Sequence, residues 1–186
     1  MSSILVQPNA AGTGVFTITS PSSSSNYTLT LPARTTTISA DGPAFSAYLS
    51  TTQSITSNQL TKAAIDTEIF DTNSCYDTTN YRFTPTVAGY YQVNATVRMS
   101  ATASTITQAA IQVYKNGSSY AVLAVDNVAS TVFTSTLNRS GGVLISMNGT
   151  TDYIELWVSI TGTSPQLLGG TSTNTTLFSA SLVRGA

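Results

Sequence analysis

An all-β protein, a jelly-roll β-sandwich of about ten strands with a small N-terminal β arm, is the fold this sequence predicts. Three observations carry that expectation. Short runs rich in Thr, Val, Tyr and Ile recur along the chain, and these residues favour a pleated, half-buried backbone. Turn residues punctuate the runs at short intervals, with Asn116-Gly117 and Asn148-Gly149 as the strongest hairpin signals. No segment shows a convincing 3.6-residue apolar period.

The arm, residues 1–40, holds two strand-like runs, Val15–Thr19 and Tyr27–Leu31. Pro21 and Ser22–Ser25 separate them as a turn would, and Pro32 ends the second. Two strands bury little by themselves, so the arm is expected to lean on a partner chain or a larger surface. Its apolar residues Ile4, Leu5, Val6, Val15, Phe16 and Ile18 are the candidate anchors.

The remainder, residues 41–186, alternates strand and turn. Candidate strands are Ala44–Ser50, Glu68–Phe70, Tyr81–Phe83, Gly89–Ser100, Thr107–Lys115, Tyr120–Val125, Thr131–Leu137, Gly141–Ser146, Asp152–Ile160 and Thr176–Arg184. The pairs Gly141-Gly142 and Gly169-Gly170 read as turns. In the fourth strand Tyr91, Val93, Ala95, Val97 and Met99 alternate with Gln92, Asn94, Thr96 and Arg98, giving one buried and one polar face. In the ninth, Ile154, Leu156, Val158 and Ile160 share one face while Tyr153 and Trp157 occupy the other. A strand apolar on both faces needs cover on both. A two-sheet sandwich supplies one, so a second chain is expected to supply the other, the alternative being a loop of the same chain.

Composition narrows the function. Charged residues are only 8%, against roughly 25% in an average soluble domain, and Ser, Thr and Asn take their place. The net charge of -1 leaves no basic patch for nucleic acid. No apolar run is long enough to cross a membrane as a helix. The opening MSSILVQPNAAG lacks the basic and apolar regions of a signal peptide, so export by the general secretory route is not expected. Cys75 is the sole cysteine, which excludes an intrachain disulfide, and there is no histidine to act as general base or metal ligand. Without histidine neither the serines nor Cys75 has its usual activator. The carboxylate groupings Asp66, Glu68, Asp71 and Asp152, Glu155 read as structural rather than glycosidic. Gly12-Thr13-Gly14 is too short for a phosphate loop. No catalytic residue, metal or cofactor is therefore expected.

Five segments, in order, resemble one known family. Pro43-Ala44-Phe45-Ser46-Ala47 resembles the first strand of the globular head of the complement recognition protein, which shares the tumour necrosis factor jelly roll. Tyr81-Arg82-Phe83 with Pro85 and Ala88-Gly89-Tyr90-Tyr91-Gln92-Val93 resembles its F-x-P-x-x-x-G-x-Y stretch. Lys115-Asn116-Gly117 resembles its central hairpin, and Gly149 with Asp152–Val158 its G-D-x-V-x-L strand. Phe178-Ser179-Ala180-Ser181-Leu182 resembles its closing strand, with Ala180 where Gly is more usual. The resemblance implies a ten-strand jelly roll and a homotrimer about a threefold axis. It also implies that the first, last and two matched strands share the inner sheet, with Tyr91, Tyr153, Glu155, Trp157, Phe178 and Leu182 as trimer-interface candidates. The family's calcium does not carry over, because acidic residues are sparse.

In the arm, Phe16–Thr19 followed by Tyr27–Pro32 resembles a short element of phage fibre and head-fibre proteins that precedes a trimeric tip. The two resemblances together imply a virion-surface protein of a tailed phage, made in the host cytoplasm. The expected function is capsid decoration by a homotrimeric knob whose arm docks on the major capsid protein or another virion protein. The alternative is a tail-fibre tip gripping a host-surface glycan, with Tyr76, Tyr81, Tyr114 and Tyr120 as candidate sugar contacts.

Overall fold

The computed structural model describes residues 42–127, 135–171 and 175–186, together with Thr17 and residues 22–26. The chain divides into two units, Met1–Thr36 and Thr37–Ala186, and the second of these is the knob. The six anchor candidates lie outside the described residues, as do the arm's predicted strands apart from Thr17 and residues 131–134 of the knob.

In chain order the described strands are β1 Ala44–Tyr48, β2 Gln53–Ser54, β3 Thr61–Lys62, β4 Thr67–Asp71, β5 Tyr76–Asp77, β6 Arg82–Phe83, β7 Gly89–Ser100, β8 Gln108–Lys115, β9 Ser118–Asn127, β10 Thr136–Met147, β11 Ile154–Thr161, β12 Gln166–Leu167 and β13 Leu177–Gly185. They form two antiparallel sheets. The first runs β2-β12-β7-β13-β1-β4, with β10 on the other edge of β7. The second runs β5-β6-β11-β8-β9, with β3 also paired to β11. The all-β, two-sheet expectation is borne out.

Strand β7 has the predicted bounds and alternation: Tyr91, Val93, Ala95, Val97 and Met99 are buried, while Asn94, Thr96 and Arg98 are exposed. The second sheet answers with Ile111 and Val113 from β8 and Ile154, Leu156, Val158 and Ile160 from β11. At one end of this core Phe45 stacks on Tyr76 and Phe83, at centroid distances of 4.5 and 4.6 Å, and meets Phe178 edge-on at 5.3 Å. Such ring pairs add directional energy to simple area burial.

Three expectations need correction. Residues 136–147 form one unbroken strand, so Gly141-Gly142 is mid-strand rather than a turn. A Cβ on Gly141 would lie 2.8 Å from Leu123 Cβ, and one on Gly142 2.6 Å from Asn94 Oδ1. These glycines let neighbouring strands approach. Second, β11 belongs to the sheet opposite β1, β13 and β7, so the four strands do not share a sheet. Third, the two-residue strands β2, β3, β5 and β12 were not predicted, because a period cannot be read from two residues.

The two sheets are sewn together where β9 meets β10. Arg139 bonds Asp126, Lys115 Nζ donates to Ser146 O at 2.7 Å, and Leu123 packs on Gly141. Edge strands left open invite pairing with other chains, and side chains cover this one. Asn116-Gly117 closes the β8–β9 hairpin as expected, but Asn148-Gly149 does not close a hairpin, because it links β10 to β11 in the opposite sheet. Where the two turns meet, Asn116 Nδ2 donates to Asp152 Oδ1 (2.8 Å), and Asn116 Oδ1 accepts from Tyr153 N (3.0 Å). Asp152 Oδ2 accepts from Asn148 N and pairs with Lys115 at 2.8 Å. The Lys115 ammonium and the Asn116 amide hold the Asp152 carboxyl below the usual range. Gly149, at φ +72°, seats this corner: a Cβ there would lie 2.2 Å from Ala88 N.

Candidate functional site

Each sheet turns one face to its partner and one outward, and the two outward faces differ. On the first sheet, β10, β7, β13 and β1 lie side by side. Register places Ser140, Gly142 and Leu144 against Thr96, Asn94 and Gln92. Next come Leu177, Ser179 and Ser181, then Tyr48, Ser46 and Ala44. Between Arg98 at one end and Arg184 at the other, this stretch carries no charged side chain. Neither arginine forms an ion pair among the described residues. Tyr90, Leu144 and Val183 form an apolar, exposed end of the face, and Phe70 on β4 is exposed beyond β1. Small side chains let another backbone come close, and the lack of charge removes the desolvation cost of covering the face.

The charged and aromatic groups on the second sheet's outward face are engaged within the chain. Lys62 of β3 pairs with Glu155 at 3.0 Å, and the Trp157 indole N–H donates to the other carboxylate oxygen at 3.1 Å. Tyr114 stacks on Trp157 at 4.7 Å, and the Arg82 guanidinium lies 5.0 Å from the centre of the Tyr153 ring. Lys62, Tyr114 and Arg82 of the same chain thus supply much of the side-chain cover expected from a second subunit.

The trimer candidates therefore separate. Tyr91 and Phe178 are fully buried between the sheets and present no side-chain surface to a neighbour. Burial, with Cys75 nearby, pushes the Tyr91 hydroxyl up to about 12, and it donates to Val87 O at 2.7 Å. Tyr153, Glu155 and Trp157 sit on the second sheet, away from the uncharged face. Leu182, in β13, is half-buried and packs against the core.

The sugar candidates separate too. Tyr76 is buried against Phe45 and donates its hydroxyl to Ile65 O at 2.8 Å, so it is a core residue. Tyr81 occupies a left-handed turn position at φ 52°. Tyr114 is half-buried on Trp157, and Tyr120 is exposed, its hydroxyl 3.4 Å from Leu144 O. These four rings do not make one surface. Sequence reasoning missed Gln92, Asn94, Ser179 and Ser46, whose only signal is that they are small and uncharged on polar strand faces.

The carboxylates have structural partners. Burial would raise the Asp66 carboxyl, but Ser50 donates from both its backbone N–H (2.8 Å) and its hydroxyl (2.6 Å) and holds it low. Asp71 accepts from Tyr76 N at 2.7 Å. Asp77 is held low by Asn80, whose side chain donates at 2.6 Å. The buried Cys75 thiol lies 3.5 Å from Asn73 O.

No family model and no curated protein match this chain. Solved structures match its fold. The globular domain of zebrafish complement 1qA protein aligns with a TM-score of 0.53 and 15% identity, over 77% of this chain and 99% of that one. Murine APRIL aligns with a TM-score of 0.55 and 9% identity, over 77% of this chain and 100% of that one. The knob is a jelly roll of the complement-head and tumour necrosis factor type, as the five ordered segments imply.

Proposed function

We propose that this chain is a non-enzymatic homotrimeric knob on the surface of a tailed-phage particle, and that it decorates the capsid. The observation that carries the proposal is the outward face of the first sheet. It is uncharged between Arg98 and Arg184, lined by small side chains and apolar at one end, and no element of the described chain covers it. Three such faces meeting about an axis would remove that surface from water. The fibre-like element at Phe16–Thr19 and Tyr27–Pro32 supports the phage assignment, and residues 1–40 serve as the anchor. Trimerisation triples the anchors, so each weak arm raises the effective concentration of the other two.

Light scattering of the full chain at micromolar concentration tests the assembly. The expected mass is that of three 19.4 kDa chains, and a monomer overturns the proposal. Ser179→Arg, at the middle of the uncharged face, is expected to yield monomers. Val122→Arg, on an exposed strand position of the second sheet, leaves the mass unchanged. Imaging of virions with an antibody to residues 44–186 then places the knob. Label over the head supports decoration, and label at the tail end makes the chain an adsorption protein.

A further inference from the structure

We propose that the outward face of the second sheet carries a binding site for a neutral saccharide. A groove of about 520 Å³ opens there between the Asn58–Leu60 loop and strands β8, β9 and β11. Gln108, Gln112 and Ser159 form its floor, the loop one wall, and Val125 of β9 the opposite rim. Gln108 and Gln112 lie four residues apart on one strand face, roughly 13 Å at strand rise, so the floor is long rather than deep.

The hydrogen-bonding capacity of the groove is only partly used within the chain. Gln112 Oε1 accepts from Ser119 Oγ at 3.0 Å, which leaves its amide N–H groups without a partner among the described residues. Gln108 Nε2 donates to Asn127 Oδ1 at 3.2 Å, which leaves its carbonyl oxygen. The Gln59 side-chain amide and the Ser159 hydroxyl have no hydrogen bond within the described residues. Amides offer a donor and an acceptor side by side, the pattern that vicinal hydroxyls of a sugar ring satisfy.

The apolar contribution is modest and suits the C–H faces of such rings. Leu60 and Val125 are exposed at the two rims, 42% and 51% accessible. Trp157 precedes Ser159 on the same strand face and stands opposite Gln112 in register, bringing the Trp157–Tyr114 stack to the end of the floor.

Charge excludes other ligand classes. No charged side chain lines the groove. A phosphate or a sialylated sugar calls for an arginine or lysine in the lining, and Lys62 of the adjoining β3 is engaged by Glu155. A large apolar ligand calls for a mostly apolar, enclosed lining, which this groove lacks. The site is whole in one protomer, so it does not depend on assembly.

Trp157 is the chain's only tryptophan and reports directly on this face. The full chain is titrated with trisaccharides of glucose, galactose, mannose and N-acetylglucosamine, and with sialyllactose, followed by tryptophan emission and saturation-transfer NMR. At least one neutral trisaccharide is expected to shift the emission and to show saturation transfer. Gln112→Ala and Gln59→Ala are each expected to weaken it about fivefold, the loss of one neutral hydrogen bond. Gln59 is an exposed loop residue, so that variant keeps the fold. Absence of saturation transfer from every neutral trisaccharide overturns the proposal, as does stronger binding of sialyllactose or affinity unchanged in Gln59→Ala. Scattering on the same samples reads the trimer separately.

Discussion

On the outward face of the second sheet the charges have their answers within the chain: Lys62 with Glu155, and Arg82 over Tyr153. On the first sheet the outward face has almost no charge to answer, and Ser46, Ser179, Asn94 and Gly142 lie open in the middle of the fold's broadest strands. One face has its charges and rings engaged by side chains of the same polypeptide; the other has few to engage. Aromatic content thus does not mark the face that the chain leaves without cover.

The substitutions that test this contrast span a wide range of effect. The core beneath both faces comes first. Phe45→Ala removes a ring that touches Tyr76, Phe83 and Phe178 and is expected to cost about 3–5 kcal/mol in denaturant unfolding, dissolving both faces together. Survival of one face, read by the Trp157 environment, would show that the sheets are separable.

Next comes the ion pair. Lys62→Ala leaves the 6%-exposed Glu155 with only the Trp157 N–H as a side-chain partner, an expected loss of about 1–3 kcal/mol. Ser46→Ala on the other outward face is expected to change stability by less than about 0.5 kcal/mol. Equal costs at the two sites would erase the distinction between the faces.

A smaller effect follows from Tyr114→Ala. Losing the stack on Trp157 costs about 0.5–1.5 kcal/mol beyond the area lost, and the tryptophan emission moves to longer wavelength. An unmoved spectrum would show that the stack does not shape this face.

The smallest effect is that of acid on the hairpin corner. The Asp152 carboxyl is held below its ordinary value of 3.8, so its contribution is present above that value and is lost as pH falls through the lower, folded one. Hydrogen-exchange protection factors at Asn148 N and Tyr153 N are expected to fall only at acid pH, while those of β13 amides on the first sheet are kept. A uniform fall would place the acid-labile element elsewhere.

Much of the fold could be read from the sequence because the long strands carry full alternation. Tyr91–Met99 buries every second residue, and its strand bounds follow from Gly89 and Ser100. Reading stopped where structure depends on neighbours distant in sequence. Gly141-Gly142 has the composition of a turn, and only the proximity of Leu123 and Asn94 reveals why a strand needs glycine there. The double apolar face of β11 was legible, but its cover was not, since Lys62 and Tyr114 reach Glu155 and Trp157 only through strand pairing. Tyr91 and Phe178 illustrate the same limit from inside: a large ring suits an interface or a core, and alternation alone does not say which. The amide groove left no trace, because Gln59, Gln108 and Ser159 meet only through folding.

The pairing of β1 with β13 fixes an order of events as well as a shape. Ala44 stands opposite Ser181 and Phe45 opposite Ala180, so the knob's earliest strand borders its last. During synthesis β1 leaves the ribosome long before the neighbour that hydrogen-bonds one of its edges exists, and Phe45 waits for Phe178. Loop-closure entropy makes such distant pairings slow. The nascent chain therefore carries an unsealed aromatic core until residues 177–185 emerge. A chain released just short of β13 lacks the strand between β7 and β1, and its Phe45 has no Phe178 to meet.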